Sequence, residues 1–247
     1  MFGVGEIGLV VRDGVAVLSL LAPERRNALT VAMARELVDA AAAVDADGSV
    51  GAAVIRGEGG HFCAGAHRDA LGAAGADPAE PGHYRDMSLI YESFHRVGRL
   101  GVPVVAAVRG SAVGAGVNLM LAADVRIVAT DARIIAGFGA IGLHPGGGHL
   151  LLAATALGRQ GAAAFSLFNQ RLTGAQAAER GLAWEALPDE EVDARALSVA
   201  AGAGSDPELS RLTLASFRRE VGPSATEWEL AIEAERASQM WSLRRRS

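Results

Sequence analysis

The amino-acid sequence predicts a mixed α/β fold, and three observations carry that expectation. Short β-branched apolar runs at 52–56 and 104–108 each lead into a segment built almost wholly of glycine and alanine. Helical spacing of apolar residues follows, so the order strand, tight loop, helix recurs. Beyond about Asp189 the pattern turns wholly helical.

In chain order, 7–11 and 15–20 read as two strands around the turn pair Asp13-Gly14, and 31–44 reads as an Ala-rich helix started by Thr30. Residues 68–82 are rich in Ala, Gly and Pro without a clear period and read as a mobile loop. Residues 84–98 then read as a helix with Tyr84, Ser88, Tyr91 and His95 on one face. The last helices are expected at 190–203, 207–219 and 225–241.

A chain of 247 residues can bury a substantial core as one domain with an appendage or as two small domains. Charged residues make up 21% and hydrophobic ones 50%, which excludes disorder as the main state. The formal net charge of −5 argues against non-specific nucleic-acid binding, and Arg244-Arg245-Arg246 reads as a solvated terminus. No basic region followed by an apolar stretch opens the chain, and Asn118, Asp124 and Arg126 interrupt its longest apolar segments, so neither secretion nor membrane spanning is expected. Cys63 is the only cysteine, which rules out an internal disulfide and makes a cytoplasmic location the simplest expectation.

The chemistry concentrates in Phe62-Cys63-Ala64-Gly65-Ala66-His67 and Gly110-Ser111-Ala112-Val113-Gly114-Ala115-Gly116-Val117-Asn118. Residues with little or no side chain let a ligand approach the main chain closely. Two such backbones together can aim two N–H groups at one oxygen, the geometry of an oxyanion hole. Other motifs carry less. Gly3-Val4-Gly5-Glu6-Ile7-Gly8 fits the GxGxxG string but lacks the strand that must precede it, and no Walker lysine or GxSxG elbow is present. His61, Cys63 and His67, and the pair His144 and His149, match no recognised zinc spacing.

With Leu21-Ala22-Pro23-Glu24-Arg25-Arg26-Asn27-Ala28-Leu29 upstream and Ile141-Gly142-Leu143-His144-Pro145-Gly146-Gly147-Gly148 downstream, the sequence resembles the enoyl-CoA hydratase/isomerase (crotonase) superfamily. The four segments look like its PxxxNAL, AGAD, GxxxGGG and LGxxPGxGG motifs, in the family's order. The resemblance implies a crotonase-like spiral of ββα turns over 1–188 that holds a CoA-thioester site, and a C-terminal helical oligomerisation region over 189–247. It implies oxyanion donors at the N–H groups of Ala66 and Ala115, with Ala64, Gly65 and Gly114 beside them. Arg25, Arg26 and Ala28 match the stretch lining the adenine and phosphate end of CoA, and surface solvation competes with phosphate pairing for the two arginines. Coenzyme A is then part of the substrate, with no separate cofactor and no metal. The loop at 68–82 is expected over the acyl site. Trimers that pair as hexamers are implied, with Leu230, Ile232, Met240 and Trp241 seeking a partner surface.

The resemblance breaks at the two glutamates that family hydratases use. Their positions here hold Asn118 and Phe138, neither of which exchanges a proton near neutral pH, although Asn118 stays a catalytic candidate because it could orient water by hydrogen bonding, and Phe138 would make the acyl end drier. Replacement acids or bases could come from His144, Asp69, His67 or the helix face with Tyr84, Tyr91 and His95. His144 is the first candidate, because it sits in the turn facing the family's acyl pocket, with a backbone-bonded structural histidine as the equal alternative. The expected activity is therefore acyl-CoA binding with enolate stabilisation and weak ordinary hydration. The alternative is a non-catalytic acyl-CoA-binding protein of the same fold.

Overall fold

The structure, a computed structural model, describes residues 5–221 and 223–245. Gly3 and Val4 of the GxGxxG string and Arg246 of the basic tail lie outside those residues. The chain opens with β1 (Ile7–Arg12) and β2 (Val15–Leu20), antiparallel around Asp13 and Gly14, whose φ values of 49° and 74° suit a tight hairpin. Helix α1 (Val31–Ala46) follows, with the Thr30 side chain accepting from Met33 N, and leads to β3 (Ala52–Gly57), parallel to β2.

The expected loop at 68–82 is mostly helix. α2 spans Arg68–Ala76 and α3 spans Pro81–Gly98, leaving only four linking residues. Alanines favour the helical state, and both starts are capped: the His67 ring accepts from Asp69 N, and the Glu80 carboxylate accepts from His83 N at 2.7 Å. β4 (Val104–Val108), β5 (Ser111–Val113) and α4 (Ala115–Ala122) come next, then β6 (Val125–Ala129) and β7 (Arg133–Ile135). The second half holds α5 (His149–Ala162), β8 (Arg171–Thr173), α6 (Gly174–Glu179), β9 (Glu185–Leu187), α7 (Val192–Gly204), α8 (Pro207–Glu220) and α9 (Ala225–Arg244). The segment His149–Leu167 is long and apolar enough to cross a membrane by length and composition, but Gly158, at φ 67° and ψ 173°, breaks its helical path.

The main sheet runs β1-β2-β3-β4-β6-β9, parallel after the first pair, and a small sheet runs β5-β7-β8. Strands β3 and β4 are apolar at nearly every position because both faces are covered. Ala53, Ile55, Val104, Ala106 and Val108 face the principal core, while Ala52, Val54, Val105 and Ala107 pack with Val192, Ala196 and Ala200 of α7. The C-terminal helices are thus part of the fold's own packing. Ile232 and Met240, expected to need a partner surface, are buried in their own chain, because α9 lies against α2 and α5. Leu230 and Trp241 are exposed.

Candidate active site

Two stretches of backbone meet at the start of α4, and buried Asn27 organises the first. Its Oδ1 accepts from Ala22 N at 2.9 Å, and its Nδ2 donates to Glu58 O at 2.9 Å and His61 O at 2.7 Å. Arg26 and Asn27 both take left-handed φ, and the turn delivers Arg26 O to Ala64 N. Leu29 then forms a one-residue parallel bridge with Ala66: Leu29 N donates to Gly65 O, and His67 N donates to Leu29 O. Both bonds come from the neighbours of Ala66, so the N–H of Ala66 itself points to the other side. Among the described residues it has no hydrogen-bond partner.

The second stretch turns at Gly114, whose φ of 55° and ψ of −118° favour glycine. Ala115 is thereby the first helical residue of α4, and its N–H has no carbonyl one turn back to bond. The two stretches touch because side chains are absent. A Cβ on Gly116 would lie 2.2 Å from Cys63 O, and one on Gly65 would lie 2.6 Å from Val113 O and 3.3 Å from Ala115 N.

Ala66 and Ala115 line one cavity of about 240 Å³, walled by apolar side chains of α3 and by the 135–138 segment. Its polar lining among the described residues is Tyr91, Asn118, Arg171 and Gln239, so no carboxylate and no imidazole faces it. Ala64, Gly65 and Gly114 line it too.

Asn118 is buried and fixed. Its Nδ2 donates to Gly146 O at 2.9 Å, and because a carbonyl only accepts, Oδ1 must face His149 Nδ1, 2.8 Å away. His149 therefore carries its proton on Nδ1, and its Nε2 accepts from Ser166 Oγ at 3.0 Å. Burial pushes the pKa of His149 down to about 4, so the ring is neutral at pH 7. The Phe138 ring lies 4.9 Å from it, centroid to centroid, and keeps this side dry.

Of the other acid–base candidates from the sequence, only Tyr91 lines the cavity. His144 does not line it: its backbone N–H donates to Ser242 Oγ and its Nδ1 sits 2.7 Å from Pro145 O. His67 caps α2, and Asp69 is exposed. Tyr84 lies under the Arg236 guanidinium, 4.6 Å from its ring centroid, and Arg236 also donates to Ser88. His95 packs edge-on against Trp228 and lies 3.5 Å from Glu92. Only Tyr91 of that helix face reaches the cavity, and its hydroxyl donates to Gln239 Oε1. Arg25 is occupied by Glu6, Glu24 and Ala28 O, whereas Arg26 is exposed and has no side-chain partner among the described residues. Cys63 is buried with its thiol, pushed up to about 12, donating to Asn27 O, and His61 Nδ1 lies 3.0 Å from Ser111 Oγ. Ala28 is buried and does not line the cavity.

Sequence reasoning missed Gln239 and the Asn118–His149–Ser166 chain. Their members are far apart in the chain, and only the docking of α9 and α5 brings them to the site.

The family model described as enoyl-CoA hydratase/isomerase matches residues 11–244. A Mycobacterium tuberculosis protein named "Probable enoyl-CoA hydratase EchA14" is 41% identical over 90% of this chain and 84% of its own length. The 1,2-epoxyphenylacetyl-CoA isomerase of Escherichia coli is 32% identical over 80% of this chain and 75% of its own. Among solved structures, an enoyl-CoA hydratase from Mycobacterium avium subsp. paratuberculosis has a TM-score of 0.79 at 29% identity, covering 98% of this chain and 95% of that one.

Proposed function

The chain belongs to the enoyl-CoA hydratase/isomerase family, and from that premise we propose that it binds an acyl-CoA thioester and stabilises its enolate. The observation carrying this reading is the pair of N–H groups, Ala66 and Ala115, that have no hydrogen-bond partner among the described residues and line one apolar cavity. Two donors aimed at the thioester oxygen stabilise the negative charge that appears there when a proton leaves the α carbon. Arg26, exposed at the Asn27 turn, is the arginine free to meet a CoA phosphate, while Arg25 is already neutralised. Coenzyme A belongs to the substrate in this reading.

Acid–base chemistry is the weak part of the site. With Asn118 and Phe138 in place of the two glutamates and no carboxylate lining the cavity among the described residues, ordinary hydration should be slow. That same observation favours a second reading, a non-catalytic acyl-CoA-binding protein. A trimeric or hexameric assembly in the cytoplasm completes the proposal; exposed Leu167, Phe168 and Trp184 are apolar surface suited to subunit contact.

Isothermal titration with free CoA and a series of acyl-CoAs tests the shared premise. Tighter binding of the thioesters is expected, and equal affinity for CoA and every acyl-CoA removes the oxyanion-hole argument. A mass-spectrometric screen of the same thioesters for product then separates the enzyme from the binding protein.

A further inference from the structure

Gln239 is buried, comes from α9, and lines the acyl cavity. Its amide lies flat on Gly146, where any Cβ would stand 2.2 Å from the amide atoms, so the bare glycine admits it. Its oxygen is used by the Tyr91 hydroxyl, while its Nε2 has no hydrogen-bond partner among the described residues. The same Gly146 offers its carbonyl to one hydrogen of Asn118 Nδ2, which leaves the second hydrogen uncommitted. Asn118 stands one turn along α4 from Ala115, about 4.5 Å by helical rise, which places that amide a few bonds along the acyl chain from the thioester carbonyl. Tyr91 is held protonated by burial, and its proton already goes to Gln239. The uncommitted hydrogens on this cavity are those of the two amides and of its one charged lining residue, Arg171, which has no ion-pair partner among the described residues.

We infer that Gln239 and Asn118 form a donor pair that selects acyl chains carrying an acceptor oxygen, an oxo or carboxylate group, over plain alkyl chains. This rests on the thioester-binding reading above. A plain chain leaves Gln239 Nε2 and the second hydrogen of Asn118 Nδ2 buried without an acceptor, whereas an acceptor oxygen satisfies them.

The test is isothermal titration of the full-length protein with free CoA and the four-carbon set butyryl-, acetoacetyl- and succinyl-CoA, for the parent, Gln239→Leu and Gln239→Glu. The parent should bind at least one oxygenated thioester roughly threefold to tenfold more tightly than butyryl-CoA, the usual worth of a hydrogen bond. Which of the two gains tells an oxo from a carboxylate partner. Gln239→Leu should bring the ratio close to one. Gln239→Glu keeps the oxygen that accepts from Tyr91, so α9 stays docked even if the leucine variant fails to fold, and it should abolish or invert the preference. No preference in the parent, or a preference surviving in folded Gln239→Glu, overturns the inference. Butyryl-CoA binding tightly without an oxygen preference leaves the thioester reading standing, whereas no thioester outbinding free CoA removes both.

Discussion

Acid should loosen this protein through one buried imidazole. His149 is neutral in the fold, its pKa pushed down by burial to about 4 from the ordinary imidazole value of 6.5. The unfolded chain therefore binds the proton more readily, and stability falls as pH drops below 6.5 toward 4. With the unfolded imidazole titrating at 6.5 and the folded one at about 4, the loss reaches about 3 kcal/mol by pH 4. Protonation also reverses the Ser166 contact: Nε2 then carries a hydrogen and donates to Ser166 Oγ, whose own proton must turn away. Urea unfolding from pH 7.5 to pH 4, compared between the parent and His149→Gln, isolates this contribution from Glu235, whose pKa burial raises and whose effect has the opposite sign. Glutamine does not titrate, so the difference between the two curves should change by about 3 kcal/mol across the interval. Parallel curves would refute the assignment of a buried, neutral His149.

Three further outcomes are expected. Ala66→Pro removes the N–H assigned to the thioester oxygen and should erase the preference for acyl-CoA over CoA in titration, whereas Ala66→Gly should keep it; circular dichroism and thermal melts first establish that the proline variant folds. Gly116→Ala drives a Cβ to 2.2 Å from Cys63 O, backbone against which no rotamer gives way, so it should cost about 1–3 kcal/mol in a denaturant melt and weaken thioester binding; an unchanged melt refutes the contact. Crotonyl-CoA hydration should be slower than in a hydratase with both glutamates, at about 10²- to 10⁴-fold for each missing acid–base group, and a turnover number in the efficient range would show that other residues do that work.

Much of the fold was legible because local signals and burial agree. The Asp13-Gly14 turn, the Thr30 cap and the doubly apolar runs of β3 and β4 each have a local cause that the sequence displays. Residues 68–82 misled because glycine and proline punctuate an alanine-rich stretch whose caps, His67 and Glu80, are not among the usual cap residues. The loops at Ala66 and Ala115 could be read from motif order, since their geometry depends on glycines a few residues away. His144 and His149 could not be told apart that way. They sit five residues apart around a turn, and only tertiary packing turns one ring to Pro145 O and the other into the core against Asn118. α9 misled for a related reason: apolar residues in a terminal helix fit an own-chain core as well as a partner's surface, and Ile232 and Met240 found the former.

If positions 118 and 138 correspond to the two glutamates of family hydratases, as the motif order implies, their neighbours decide whether an acid would suit either place. An acid at 118 could still accept from His149 Nδ1–H. Its other oxygen would confront Gly146 O, an acceptor where the amide now supplies a donor. An ionised carboxylate there would also sit beside an imidazole whose low pKa comes from a dry, uncharged setting, and would draw a proton onto it. Phe138 packs on that ring from the other side, so an acid at 138 would bring a second charge into the same space. The surroundings of both positions therefore fit a neutral amide and a phenyl ring. In the proposed thioester site, that pairing would keep water away from the acyl group and would not activate it for attack.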